Sequence, residues 1–365
     1  MTLQNYWWLL IWLFIVGGFT FIISPYQEEM VLGRKCVRWH WLYAAILAAP
    51  YVVWAAWRTD RFGDTGMYRQ TFNRMPVALS LMREYIPTRK GYLFALIEYL
   101  VKSIVSQSSV AFFFLIALLQ IFFLVYLYRK YSNNFWLSMF LFVASTDYMA
   151  WMHNGMRQFL AATIIFMCIP MITKKKYLGM CVIVLLASLI HSSALVFFPF
   201  IFIVNGRAWN IRMIGFLVGI ILAVLFLDHV TGFISRAMEN TEYEGDIIYL
   251  KNADGAHIYR VLFYSVPAVM AFVFRPYIDA ANDPMINVCA NLSIVAAGFY
   301  VFSYFSSGIL MGSIPIYFSL ANYILIPWMI NEVFEPSSAM LVNTVLVGTY
   351  GFFFYYQMGP TWGLF

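Results

Sequence analysis

The sequence predicts an all-α polytopic membrane protein. Of its 365 residues, 62% are hydrophobic and 11% are charged, whereas about 25% charge is usual in soluble domains. Uncharged stretches such as 110–126, 286–311 and 337–359 recur along the chain, and each is long enough to cross a hydrocarbon layer of about 30 Å as a helix. Backbone amides in lipid must be paired within their own segment, which favours helices. We expect one integral membrane domain over residues 1–365.

The apolar segments predict about 12 transmembrane helices, within a range of roughly 10 to 13. They are 5–23, 40–57, 110–128, 135–151, 156–172, 177–190, 192–204, 211–229, 258–274, 285–306, 314–331 and 338–356. When these spans alternate, the main basic connectors fall on one side, and an excess of Lys and Arg marks the cytoplasmic side. Segments 58–90 and 230–257 are then extracytoplasmic loops.

Two segments allow more than one path through the membrane. Residues 91–106 are apolar but contain Glu98 and Lys102. A crossing there would reverse every later loop, so the sequence favours a re-entrant or interfacial helix. Residues 177–204 carry basic residues at both ends and form either one long tilted helix or two short helices meeting near His191. The second alternative keeps both basic ends in the cytoplasm, and we prefer it.

Loop 58–90 is the most charged part of the chain. Seven of the 23 basic residues lie there: Arg58, Arg61, Arg69, Arg74, Arg83, Arg89 and Lys90. An outward loop so rich in cations opposes the usual charge bias and requires a functional reason. Asp64 and Tyr68 are four residues apart, so on a helix they would share one face with Phe72.

A second polar cluster lies where the fourth span ends and the fifth begins, and comprises His153, Asn154, Arg157 and Gln158. Asn154 is predicted to be the N-cap of the fifth helix, which places Arg157 in its first turn. The positive end of a helix opposes a cation there. A bound anion or a carboxylate such as Asp147 would explain the arginine, and snorkelling to the headgroups is the alternative.

Three further features have both a functional and a structural interpretation. His191, with Ser192 and Ser193, interrupts an apolar run, where ionisable residues commonly line cavities. Arg260 begins the ninth span and either faces the outer cavity or anchors the helix end. Five acidic residues in 230–257 favour a solvated loop over a lid: Glu239, Glu242, Glu244, Asp246 and Asp254.

Several classes of chemistry lack their motifs. No clustered metal ligands, phosphate-binding glycine loop or nucleophile elbow is present, so we expect no metal and no cofactor. The net charge of +6 is not arranged as a nucleic-acid surface. The four cysteines are far apart and are expected to act as small apolar residues: Cys36, Cys168, Cys181 and Cys289.

Four short motifs together resemble the EpsG-type, Wzy-like polysaccharide polymerases. They are Gly63-Asp64-Thr65 with Tyr68 and Phe72, Gly155-Met156-Arg157-Gln158 with Ala161, the 187–194 segment containing His191, and Tyr317-Phe318 followed by Pro327. Their order covers about residues 40 to 332. The chain departs from the pattern at 313–315, where many relatives carry a basic residue and this chain has Ser, Ile and Pro.

The resemblance implies a multi-pass glycosyltransferase of the bacterial cytoplasmic (inner) membrane. Such an enzyme joins undecaprenyl-diphosphate-linked oligosaccharide repeat units into capsule, exopolysaccharide or O-antigen at the outer face. It also implies contact with membrane lipids, and it makes chain-length regulators and flippases candidate partners.

The same resemblance suggests roles for the candidate residues. Arginine forks suit phosphate oxygens, so Arg58, Arg61 and Arg157 are expected on the diphosphate, with Arg260 as a fourth candidate. Asp64 or His191 would be the general base. Tyr68 and Gln158 would position the sugar.

The sequence also allows other functions. A flippase for lipid-linked sugars would also use an arginine-lined cavity, but its charges should lie on both sides of the midplane. An O-antigen-ligase-like enzyme would share the outer site and differ in its acceptor. A membrane acyltransferase or a non-catalytic scaffold fits less well. The outward position of the candidate residues favours catalysis on that face.

Overall fold

The computed structural model describes residues 6–20, 22–31, 34–60, 63–86, 91–239, 244–251 and 255–363. The helices up to residue 173 are α1 (Trp8–Phe19), α2 (Trp41–Ala56), α3 (Thr65–Arg74), α4 (Leu79–Tyr85), α5 (Tyr92–Leu100), α6 (Ser109–Tyr131), α7 (Phe135–Ala144), α8 (Met156–Cys168) and α9 (Pro170–Thr173). Later helices are α10 (Tyr177–Ser188), α11 (Phe200–Ile203), α12 (Ile211–Leu225), α13 (Leu227–Met238), α14 (Ile247–Lys251), α15 (Ile258–Val273), α16 (Arg275–Ala281), α17 (Pro284–Phe305), α18 (Ile316–Ser319), α19 (Asn322–Val333) and α20 (Pro336–Tyr356).

Shorter elements complete the described chain. The π-helical turns are Val101–Val105, Tyr148–Asn154 and Gln357–Thr361. The 3-10 turns are Ser192–Phe197, Glu244–Asp246 and Met311–Ser313. Strands β1 (Tyr26–Val31) and β2 (Arg34–Trp39) pair antiparallel as a hairpin.

The predicted all-α membrane architecture is confirmed. In the described ranges, four helical segments are long and apolar enough to cross a membrane: Ser109–Tyr131, Met156–Thr173, Pro284–Phe305 and Pro336–Thr361. Three bent pairs raise this number to seven if each pair is one span: α12 with α13, α15 with α16, and Met311–Ser319 with α19. Each predicted span overlaps one of these segments or a shorter apolar helix. The total of about 12 crossings stays a prediction.

Backbone contacts divide the chain into two compact units. The first comprises Met1–Met167, Leu185–Ser192 and Phe334–Phe365. The second comprises Cys168–Val184 and Ser193–Val333. The expectation of a single membrane domain over residues 1–365 stays a prediction.

The β-hairpin between α1 and α2 was not predicted from the sequence. The buried Arg129 at the end of α6 fixes it, donating to the Trp39 carbonyl and to the Glu29 carboxylate, each at 2.6 Å. Arg38 in turn donates to the Lys130 carbonyl at 2.9 Å. These basic residues therefore hold the hairpin against α6, in addition to marking the cytoplasmic side of the membrane in the predicted topology. Two six-residue strands in a charged connector give too little periodicity to be predicted.

The segment 91–106 is too short to cross the membrane, in agreement with the prediction. Helix α5 has nine residues and the π-turn after it has five, whereas a crossing needs about 20. Lys102, in this turn, is buried, and its ammonium donates to the carbonyls of Phe72, Asn73 and Met75 at 2.7, 2.8 and 2.7 Å. Unpaired carbonyls at a helix end favour such a cation, so Lys102 fixes the end of α3.

The other uncertain segment, 177–204, contains a break, and the predicted loop 230–257 contains helices. Helix α10 ends at Ser188 and a 3-10 turn begins at Ser192, so the predicted break near His191 is present. The described residues of the acidic segment 230–257 are largely helical. Helix α13 begins where α12 ends, after a bend of 94°. Apolar residues recur along α13 at three- to four-residue intervals, the pattern of an amphipathic interfacial helix. Glu242 and Asp254 lie outside the described residues.

The proposed orientation can be tested by cysteine labelling. Asn73 and Lys175 are both exposed, so single cysteines at these positions should react wherever the reagent has access. In a background without the four native cysteines, we expect an impermeant reagent added outside intact cells or spheroplasts to label position 73 and not position 175. Membrane permeabilisation should then expose position 175. The opposite pattern would reverse the orientation and place the candidate site inside.

Candidate functional site

Arg157 lies in the first turn of α8 and is partly exposed. Two buried side chains hold the residues just before it. Gln120 of α6 donates to the Met156 carbonyl at 2.9 Å. Arg58, just beyond α2, donates to the Met152 carbonyl and to Met156 Sδ, the latter at 2.8 Å. The start of α8 is therefore attached to both α6 and the end of α2.

Arg58 itself faces the protein interior. Its exposed fraction is 5%, and its guanidinium lies 4.0 Å from the centre of the Phe113 ring. Its carbonyl accepts a hydrogen bond from Arg69 at 3.0 Å. These contacts suit a residue that positions its neighbours. Arg61, the other predicted phosphate ligand of this loop, lies outside the described residues.

The Gly63-Asp64-Thr65 motif docks against residues 153–154. Gly63 has φ +37°, and a Cβ at this position would overlap Oδ1 of Asn154, so the close approach requires glycine. The Asp64 N–H donates to this Asn154 oxygen at 2.9 Å. Thr65 Oγ1 donates to the His153 carbonyl at 3.1 Å.

This docking corrects the prediction that Asn154 caps the fifth helix. Asn154 is the last residue of a π-helical turn, and its side-chain oxygen receives the Asp64 N–H. Helix α8 begins at Met156, so Arg157 is still in its first turn. The side chain of Asn154 accepts the N–H of a residue 90 positions away in sequence and does not cap α8. No local sequence pattern predicts this partner.

Helix α3 begins directly after Asp64 and carries Tyr68 and Phe72, the other two residues predicted to share its face. Tyr68 and Phe72 are buried, and the Phe72 ring stacks on Phe112 at 4.9 Å. The Tyr68 hydroxyl is hydrogen-bonded to the backbone of Arg157. Tyr68 thus links α3 to the first turn of α8 from a position mostly hidden from solvent.

Arg157 acts electrostatically on both polar residues of this face. Partial burial raises the pKa of the Asp64 carboxyl, and the charge of Arg157 opposes the rise. Burial likewise raises the pKa of Tyr68, again against the effect of Arg157. Asp64 is therefore a carboxylate that interacts with Arg157, the kind of partner that the sequence suggested with Asp147 as the example. Asp147 is buried and interacts with Tyr350.

The start of α5 brings the His191 segment to the same place. Gly91 has φ +78°, and a Cβ there would overlap the Ile190 carbonyl and come within 3.4 Å of Arg157 Nη1. The Leu93 N–H donates to the Leu189 carbonyl at 3.0 Å. The turn that precedes His191 therefore packs against α5 beside the guanidinium of Arg157. His191 is partly exposed.

A family model described as the EpsG family matches residues 41–359. The chain belongs to the EpsG family. No curated protein and no solved structure matches it. The EpsG family comprises polysaccharide polymerase-like membrane proteins, so this chain is a multi-pass membrane protein of polysaccharide biosynthesis.

The remaining predicted residues of this EpsG protein occupy different settings. Gln158 follows Arg157 in α8 and is buried. Arg260 belongs to the second unit, in the first turn of α15, with its guanidinium 6.0 Å from the Tyr264 ring and 5.8 Å from the Tyr300 ring. Asp64, Tyr68, Arg157 and the segment of His191 are thus grouped in the first unit.

The last two sequence motifs of the EpsG pattern meet within the second unit. Ser193 Oγ and Tyr317 Oη are 2.9 Å apart, and Phe197 stacks on Phe318 at 5.2 Å. This pairing joins Ser193, which lies two residues after His191, to a Tyr-Phe pair more than a hundred residues later. The resemblance had given their order and not their contact.

Sequence reasoning missed three residues that shape the site: Gly91, Lys102 and Gln120. Gln120 had a usable signal, because it is a polar residue inside the apolar α6 and polar residues in spans commonly bond a neighbouring helix. Lys102 was noted only as an obstacle to membrane crossing. Nothing in the sequence marks Gly91, because the need for glycine there comes from the close approach of the Ile190 carbonyl, which only the fold shows.

Proposed function

We propose that this EpsG protein is an enzyme that joins undecaprenyl-diphosphate-linked repeat units into a surface polysaccharide at the outer face of the bacterial cytoplasmic membrane. The observation that carries the proposal is the electrostatic interaction of Asp64 with Arg157, a partly exposed residue in the first turn of α8. An arginine against the positive end of a helix is favoured when an anion joins it. A lipid diphosphate is the anion that the family's role in polysaccharide synthesis suggests.

The reaction needs no nucleotide, because the donor already carries its leaving group. The acceptor hydroxyl oxygen forms a bond to the anomeric carbon of the donor glycan. The bond from that carbon to the diphosphate oxygen breaks, and undecaprenyl diphosphate leaves with the electron pair. The hydroxyl proton passes to a base on the protein. Direct attack of this kind inverts the anomeric centre.

The residues divide into contact and positioning roles in this proposal. Arg157 contacts the diphosphate and stabilises the charge that develops as it leaves. Asp64 or His191 accepts the proton, and the raised pKa of Asp64 suits a base. Tyr68 and Gln158 shape the sugar site from buried positions. Arg58 positions the start of α8, while Arg61 and Arg260 remain candidates for further phosphate contacts.

Reconstitution of the purified protein tests the proposal. Proteoliposomes receive lipid-linked repeat units as the sole substrate, without nucleotide sugars. We expect a ladder of longer glycans and one undecaprenyl diphosphate released for each linkage formed. Movement of the substrate across the bilayer without new linkages would identify a flippase. Transfer only to a different acceptor would identify a ligase. In cells, the flippase that supplies the units and a chain-length regulator are the expected partners.

A further inference from the structure

An apolar furrow runs along α1 and α2 in the first unit. Its walls are side chains that recur at three- to four-residue intervals on each helix: Trp8, Trp12, Ile15 and Phe19 on α1, and Tyr43, Ile46, Pro50 and Trp54 on α2. The furrow consists of two cavities in series that share Trp12, with volumes of about 240 and 260 Å³. Several of its wall residues are exposed, including Ile15 at 41% and Ile46 at 44%.

Two hydrogen bonds between the helices fix the shape of the furrow. Trp12 Nε1 donates to the Leu47 carbonyl at 3.0 Å, and the Tyr51 hydroxyl donates to the Leu9 carbonyl at 2.6 Å. In an apolar environment such bonds are costly to break, because the separated groups find no water. The two helices therefore run antiparallel at a fixed separation, and the furrow is a permanent feature.

One end of the furrow leads to the candidate site. The wall residue Trp54 lies two residues before the end of α2 at Ala56. Arg58 follows and bonds the Met152 carbonyl and Met156 Sδ, immediately before Arg157. A hydrocarbon chain in the furrow would thus have its polar end toward the end of α2, from which Arg58 reaches the residues just before Arg157.

We infer that the furrow binds the polyprenyl tail of the lipid-linked substrate, an inference that rests on the proposed function. From Trp8 to Phe19 the furrow is about 16 Å long at a helical rise of about 1.5 Å per residue, enough for several isoprene units. Membrane lipid is as apolar as these walls, so shape has to provide the preference. Rigid aromatic walls suit a methyl-branched chain. A diphosphate carries more negative charge for the arginine than the single phosphodiester of a phospholipid, which favours the substrate over a phospholipid acyl chain.

Filling the furrow tests this inference in proteoliposomes. Ile46→Trp and, separately, Ile15→Trp place an indole in the path of the tail. The matched control is Leu118→Trp on α6, where the native side chain is 43% exposed. KM and kcat are measured for substrates that carry a full-length or a short prenyl tail on the same glycan diphosphate.

We expect the wild type to have a severalfold lower KM for the long-tailed substrate. Each furrow variant should lose this preference, while kcat and the KM for the short-tailed substrate stay unchanged. Leu118→Trp should behave as the wild type. Retention of the tail preference in both furrow variants, or its loss in the control, would overturn the inference.

Photolabelling separates a failure of the inference from a failure of the proposed function, because it requires no turnover. The two probes are a polyprenyl diphosphate and a phosphatidylglycerol, each with a diazirine on its hydrocarbon chain. We expect the polyprenyl probe to label α1 and α2, and Ile46→Trp to suppress this labelling. Labelling by the phospholipid alone would overturn the inference even if the protein polymerises. Polyprenyl labelling of the furrow without polymerisation would instead contradict the proposed function.

Discussion

Arg157→Ala is expected to abolish polymerisation and to leave single lipid-linked repeat units accumulating at the outer face of the membrane. Arg157 is a cation that acts on both Asp64 and Tyr68, and in the proposed reaction it stabilises the departing diphosphate. Loss of one preorganised group that stabilises developing charge typically lowers kcat by about 10²- to 10³-fold. Arginine residues at phosphoryl transfer sites contribute about 10³- to 10⁵-fold.

The measurement is the glycan length profile of cells that carry each variant, at matched expression, together with the pool of lipid-linked intermediates. Arg157→Lys keeps the charge but loses the planar two-pronged donor, so we expect partial activity. Arg74→Ala is the matched control, because Arg74 is an exposed cation at the end of α3. Glycan of normal length in cells that carry Arg157→Ala would contradict the proposed role of Arg157 in stabilising the departing diphosphate.

The membrane architecture was predictable because it follows from composition. Apolar segments of the right length leave a helix as the only way to pair their backbone amides in lipid, and every predicted span overlaps a helix. The non-crossing helix α5 followed from Glu98 and Lys102. The β-hairpin did not follow, because its stability depends on Arg129, about ninety residues from Trp39 in sequence.

Candidate site residues could be recognised where a residue conflicts with its local surroundings or where the spacing of two residues places them on one helical face. Arg157 stood out because a cation opposes the positive end of a helix, and Asp64 and Tyr68 because their spacing places them on one face. The geometry that joins them depends on contacts between distant residues. The Asn154 oxygen bonds the Asp64 N–H rather than the start of α8, and no spacing in the sequence distinguishes these two partners.

Gly91→Ala is expected to lower the polymerisation rate strongly without preventing insertion into the membrane. At φ +78° a residue with a Cβ is strained by about 1–2 kcal/mol. The added methyl would also overlap the Ile190 carbonyl, and it would lie in contact with Arg157 Nη1, 3.4 Å away. Because Lys102 holds the far end of this segment to α3, the start of α5 cannot simply withdraw. The Ile190–His191 turn, which lies beside the guanidinium of Arg157, must move instead.

A displacement of about 1 Å at a reacting group can cost about 10²-fold in rate, so the effect on kcat should far exceed the effect on stability. Gly215→Ala in α12 is the matched control, since its added methyl meets nothing within 4 Å, and it should retain the wild-type rate. Rates and thermal stability are measured for both variants in proteoliposomes. If Gly91→Ala acts by displacing Arg157, its effect should largely disappear in an Arg157→Lys background, because neighbouring residues that act together are not additive. Full additivity of the two changes would mean that Gly91 affects the reaction by a route other than the arginine.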